Sequence, residues 1–279
     1  MKRRLPFARV PQSMALIPLA PVLAVQAWRT VRRTPRLDPA GGDEHGFLQG
    51  ADPGAAPAFR VVVIGESTAV GVGASRHAEA LPGFLAEALR ERLRRSVAWS
   101  VAGENGATAR RITAEVVPRA DGAAPDLVVL TTGINDLIRR RPLRRWAADM
   151  ADLVGAVRDR YGQAAVLVAG MPPVHRFPAI PQPLRYVLGA RARTMDRIMR
   201  EAARAGGAVH APMDEAMARD RALFASDGFH PSPAGYRAWA LDLARAAPVP
   251  ADPAPADPAP AGADPAGPRA DRTEMTGPI

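Results

Sequence analysis

The sequence predicts a doubly wound α/β/α sandwich, in which a parallel sheet carries helices on both faces. Three observations support this. Short, continuously apolar, β-branched runs recur along the chain, segments with apolar residues at helical spacing alternate with them, and 47% of the 279 residues are hydrophobic. A strand that is apolar on both sides has to be covered on both sides, and parallel strands joined by crossover helices achieve that.

The first strand is expected at 59–65 (FRVVVIG), ending in a glycine, with four more at 97–102, 127–132, 165–169 and 208–210. Runs this short that end at turn residues fit strands better than helices. Between the first two strands Leu81, Phe84, Leu85, Ala88, Leu89 and Leu93 repeat at helical spacing. Leu143, Trp146, Ala147, Met150, Leu153, Val154 and Val157 do the same after the third. A five-stranded parallel sheet within a domain at 59–246 follows. In such sheets ligands bind outside the carboxyl ends of the strands.

The flanks differ in composition, since 17 of the 29 prolines lie outside residues 59–246. Residues 1–37 carry Lys2, Arg3, Arg4 and Arg9, then an apolar run at 14–28, then Arg29, Arg32, Arg33 and Arg36. The run lacks a small-residue cleavage site and contains Pro18 and Pro21. As a helix it would reach only about 22 Å against a bilayer core of about 30 Å. Three readings stand for this segment: a shallow anchor on a membrane surface, an export signal, or an arm packed on the domain. A membrane-associated or exported location is therefore expected over a cytoplasmic one. Residues 38–58 read as a linker, and 247–279, with a proline every few residues and no apolar periodicity, as a disordered tail.

The net charge of +9 is spread as arginine along the chain. Arg139, Arg140, Arg141, Arg144 and Arg145 lack the interleaved aromatics of a nucleic-acid surface, so no nucleic-acid partner is expected. With no cysteine, disulfides and thiolate metal sites are excluded, and histidine is too scarce for a clustered metal site. No cofactor or metal is expected.

Four short motifs sit at strand ends or before a helix: Gly65-Glu66-Ser67-Thr68, Gly103-Glu104-Asn105-Gly106-Ala107-Thr108, Gly133-Ile134-Asn135-Asp136 and Asp227-Gly228-Phe229-His230-Pro231. Singly, each is ordinary turn or cap chemistry. Together they supply the parts of an acyl-transfer site. Ser67 needs a base, His230 can serve, and Asp227 three residues earlier can hold the imidazole. The charge that develops on a carbonyl oxygen needs fixed donors, which the Ser67 and Gly106 backbone N–H groups and the Asn135 amide could provide.

In these motifs the chain resembles the SGNH hydrolase family, also called GDSL esterases and lipases, over about 59–246. The family's four letters fall on Ser67, Gly106, Asn135 and His230, with Asp227 as the triad acid. The resemblance implies a flavodoxin-like sandwich of strand order 2-1-3-4-5 and a serine esterase working through an acyl-enzyme on a small-molecule or lipid ester. One departure is visible: Glu66 stands where the family has aspartate, which bears on the geometry of the turn.

Among the other histidines, His45, His77 and His210 fit structural places. His175 follows the fourth strand and is a rival base or a pocket residue. The proline-rich segment 172–186 is too long for a turn, and is expected either to shape the substrate pocket through His175, Phe177 and Ile180 or to be a rigid surface loop. The alternatives from other classes are a catalytically inactive relative and a nucleotide-binding α/β module. The run Gly65 to Gly73 ends without the Gly-Lys-Ser/Thr of a P-loop, and Ala69 breaks the G-x-S-x-G of a nucleophile elbow. Oligomeric state is not encoded in any of these features.

Overall fold

A computed structural model describes residues 19–51, 57–120, 123–215 and 217–249. The expected tail from 250 onward and the first part of the apolar run, 14–18, lie outside the described residues.

The sheet is built from β1 (His45–Leu48), β2 (Phe59–Gly65), β3 (Val97–Gly103), β4 (Leu127–Thr131), β5 (Ala165–Ala169) and β6 (Val209–Ala211), in the order β1-β3-β2-β4-β5-β6. The last five are parallel, and without β1 their order is the 2-1-3-4-5 implied by the family resemblance. β1 is a sixth strand, antiparallel to β3, inside the segment read as linker. It escapes the sequence pattern because it lies at the edge and only half of it is covered. Its Gly46 runs directly over the Trp99 ring, where a Cβ would stand 2.5 Å from ring atoms. The final strand is shifted one residue from the expected 208–210.

Four long helices cover the two faces: α2 (Leu81–Leu93) and α7 (Pro233–Ala246) on one, α5 (Leu143–Tyr161) and α6 (Leu184–Ala205) on the other. Two shorter ones, α3 (Ala109–Arg111) and α4 (Ile134–Ile138), follow β3 and β4, and α1 (Ala20–Arg33) precedes the sheet. Strand alternation sorts the core. Val61, Val63, Val129 and Leu167 pack with Leu85, Leu89, Tyr236 and Trp239, while Val62, Ile64, Leu130 and Val168 pack with Trp146, Met150, Met195 and Met199. Each strand is thus apolar on both sides for a different partner layer.

After β2 the chain moves outward to β3 and then returns across β2 to β4. The crevice between the carboxyl ends of β2 and β4 is the topological switch point of the sheet.

Candidate active site

The turn after β2 carries Ser67 to this crevice, and several backbone links fix it there. Glu66 N–H donates to Thr131 O at 3.0 Å, Glu104 N–H to Gly65 O at 3.1 Å, and Val72 N–H to Ser67 O at 3.0 Å. The turn is held from behind by the buried Tyr236 hydroxyl, which donates to Val72 O at 2.7 Å. Gly73, at φ +102°, lies where the loop bearing His230 crosses. A Cβ there would come within 2.3 Å of Pro231 O, so glycine is what lets that loop approach.

The approach joins residues separated by more than 150 positions. His230 Nε2 lies 3.1 Å from Ser67 Oγ, and His230 Nδ1 lies 2.6 Å from Asp227 Oδ2. Asp227 Oδ1 accepts the N–H groups of Phe229 and His230 at 2.9 and 3.0 Å. Burial pushes the Asp227 carboxyl up, but the hydrogen bond to His230 and those two N–H groups outweigh it and hold it below the usual carboxylate range. An ionised carboxylate only accepts, so Nδ1 carries the imidazole proton and the Nε2 lone pair faces the serine hydroxyl.

The expected oxyanion residues follow the two strands that flank β2. Gly106 occupies the turn after β3 at φ +85°, with open space around its Cα. Asn135 lies in the first turn of α4, after β4. Its placement depends on Glu66, which the sequence marked only as a departure: Asn135 Nδ2 donates to Glu66 Oε2 at 2.6 Å, and the Asn135 and Ile134 N–H groups donate to the same carboxyl at 3.3 and 3.1 Å. Burial pushes Glu66 up, three N–H donors pull it down, and the balance lies at about 7. The next residue, Asp136, is also buried and accepts Ala109 N–H at 2.9 Å, while Arg139 donates to Gly106 O at 3.0 Å. The loops carrying Gly106 and Asn135 are thereby tied to each other. Only the Asn-Asp adjacency in the sequence could have pointed to Asp136.

A cleft with open space of about 760 Å³, mouth included, opens at Ser67 and His230. Its walls are mostly apolar and include Pro173, Phe177, Met213, Phe224, Phe229 and Trp239. Phe177 meets Phe224 and Phe229 edge to face, with centroids 5.6 and 5.2 Å away. Of the three pocket residues expected from the sequence, Phe177 lines this cleft. His175 instead lines a separate groove beyond the Pro172–Pro173 wall, with Nε2 3.4 Å from Glu215 Oε2. It is drawn there because Gly189 of α6 packs against it, leaving no room for a Cβ at 189. Ile180 is buried in the core. The walls contributed by 213–239 carried no sequence signal beyond scattered apolar residues. His210 pairs with Asp196 at 2.9 Å, while His45 lies in β1 and the buried His77 opens the short turn before α2.

With this geometry in view, comparison with known proteins places the chain. A family model described as GDSL-like Lipase/Acylhydrolase matches residues 63–238. The chain belongs to the GDSL-like lipase/acylhydrolase family. It is 33% identical over 190 residues to a GDSL-like esterase of Mycobacterium tuberculosis, a match covering 66% of this chain and 59% of that relative's length. Among solved structures, a putative lipolytic protein of the G-D-S-L family from Desulfitobacterium hafniense is similar at 16% identity and TM-score 0.54, covering 67% of this chain and 99% of that one. Phospholipase A1 from Streptomyces albidoflavus is similar at 16% identity and TM-score 0.52, covering 68% and 99%. These two likenesses support the fold, a mostly parallel sheet between helical layers.

Proposed function

We propose that this chain is a serine acylhydrolase that cleaves carboxylic esters through an acyl-enzyme. The observation that carries the reading is the unbroken chain Asp227–His230–Ser67, at 2.6 and 3.1 Å, opening into an apolar cleft at the switch point of the sheet. Membership of a lipase and acylhydrolase family and the relative described as an esterase support it.

In this mechanism Ser67 Oγ attacks the ester carbonyl carbon while His230 Nε2 takes the hydroxyl proton. Asp227 stabilises the imidazolium by accepting from Nδ1. The carbonyl oxygen becomes an oxyanion facing the N–H groups of Ser67 and Gly106 and the amide of Asn135. The bond to the alkoxy oxygen then breaks, and His230 returns the proton to the departing alcohol. Water repeats the sequence: His230 takes one proton from it, its oxygen joins the acyl carbon, and Ser67 leaves with that proton. Asn135 Nδ2 has two hydrogens, one engaged by Glu66 and one free for the oxyanion.

The substrate is an ester with an apolar acyl group, seated against Phe177, Phe224 and Phe229, and the N-terminal segment holds the enzyme on a membrane surface. A series of p-nitrophenyl esters of increasing chain length tests the acyl assignment. Phe177→Ala is expected to raise KM for the preferred ester and shift the optimum toward longer chains. An unchanged length profile would remove the aromatic wall from substrate binding.

A further inference from the structure

Helix α1 has one face on the protein and a broad face without a partner among the described residues. Leu19, Leu23, Gln26 and Thr30 recur at helical spacing and form a half-buried seam. At its centre, Gln26 Nε2 donates to Gln182 O at 2.6 Å and Gln26 Oε1 accepts Leu184 N–H at 3.1 Å. Leu23 packs on the core beside it.

The remaining surface of the helix is divided. Ala20, Ala24, Trp28 and Val31, spaced by three and four residues, make an apolar strip in which Trp28 is 56% and Val31 64% exposed. At 3.6 residues per turn Arg32 borders this strip, and Val25, Arg29, Val22 and Arg33 follow it round the helix toward the seam, all of them exposed. The Arg32 guanidinium sits 4.4 Å over the Trp28 ring, so charge and apolar surface meet along one edge. Residues 1–37 contain eight basic side chains and no aspartate or glutamate. Among the described residues no helix is long and apolar enough to cross a membrane. A helix of this kind, with an apolar strip bordered by arginine, seats in the plane of a lipid interface.

We infer that α1 is a docking surface for an anionic lipid bilayer, with Trp28 and Val31 entering the interface, Arg32 and Arg29 meeting lipid phosphates, and Arg33 adding positive charge close to the surface. The charge selects this occupant. A second copy of the chain would bring the same arginines against one another, whereas an anionic leaflet neutralises them. The seam gives the docking a consequence for the site. Gln26 holds the C-terminal end of the proline-rich segment whose Phe177 forms a wall of the Ser67 cleft, so the seated helix and that wall are one connected unit. The docking deepens and rests on the membrane-surface placement proposed above, and only its consequence for the cleft rests on the acylhydrolase reading.

The test therefore uses the full chain carrying Ser67→Ala, so that a failure of hydrolysis and a failure of docking are read separately. The probes are vesicles of phosphatidylcholine alone and of phosphatidylcholine mixed with phosphatidylglycerol. Trp99, Trp146 and Trp239 are buried, so fluorescence changes on vesicle addition report on Trp28. The expected result is co-sedimentation and a blue shift with the mixed vesicles, both weakened by salt. Replacing Arg29, Arg32 and Arg33 by glutamine removes three charges and is expected to weaken partitioning about a hundredfold. Trp28→Phe should abolish the spectral shift while binding persists. Equal partitioning into both vesicle types, or none into either, overturns the inference. So does a Trp28 shift that follows protein concentration without lipid, which marks a second copy as the occupant. Shielding of Trp28 from a soluble quencher in the lipid-free monomer overturns it too, because the chain itself would then cover the strip.

Discussion

Replacing Glu66 by glutamine isolates one buried carboxyl at the centre of the site. In the folded protein this group holds its proton up to about pH 7, against an ordinary value of 4.5. Between those values the native state binds more protons than the unfolded chain, so stability falls as pH rises through the window and is flat above it. The separation of about 2.5 units, at about 1.4 kcal/mol each, makes the total about 3 kcal/mol. Glutamine does not titrate, and every other group is common to both proteins. Urea unfolding of wild type and Glu66→Gln at several pH values is the assay. The stability of wild type relative to the variant is expected to drop by about 3 kcal/mol between about pH 4.5 and 7. A difference that stays constant with pH would refute the reasoning, because Glu66 would then titrate alike in both states. Activity gives a second readout. Glutamine offers one acceptor oxygen to three N–H donors, so the Asn135 amide loses its fixed partner, and kcat is expected to fall by about tenfold to a hundredfold with KM little changed.

Two further substitutions probe the parts around it. Asn135→Ala removes an oxyanion donor and is expected to lower kcat by about 10² to 10³ with little change in KM; steady-state kinetics on a short-chain aryl ester check this, and an unchanged kcat would take Asn135 out of the oxyanion hole. Gly73→Ala places a Cβ 2.3 Å from Pro231 O at a positive φ, so a loss of about 1–3 kcal/mol in thermal unfolding is expected, together with a lower kcat as the His230 loop is displaced. Wild-type stability and rate would show that the loop approaches without needing that glycine.

The parallel strands were legible because they are short, largely apolar runs, the first three of which end at a turn motif. Ser67, Asp227 and His230 were legible because their residue types supply complementary roles, Ser67 at a strand end and the other two just before the last helix, and the fold brings them together. Edge strand β1 was hidden because its residues are half exposed and its close fit on Trp99 depends on a glycine, which reads as linker. His175 was misplaced for a different reason. Its position after the fourth strand fits a site residue, but the turn Val174–Arg176 directs it onto Gly189 of α6 and away from Ser67. The role of Glu66 lies in three dimensions only. Its carboxyl spans from the end of β2 to the start of α4, a contact between positions 68 and 69 residues apart that no local pattern encodes.

The central claim, that Ser67 is a nucleophile activated by His230, is tested most directly by treating the protein with a serine-directed fluorophosphonate and locating the adduct by peptide mass. The expected result is a single adduct on the peptide containing Ser67, formed at a rate that falls steeply in His230→Ala and absent in Ser67→Ala, which also loses ester hydrolysis. Labelling of Ser67→Ala at the wild-type rate, or hydrolysis that survives the substitution, would contradict the account.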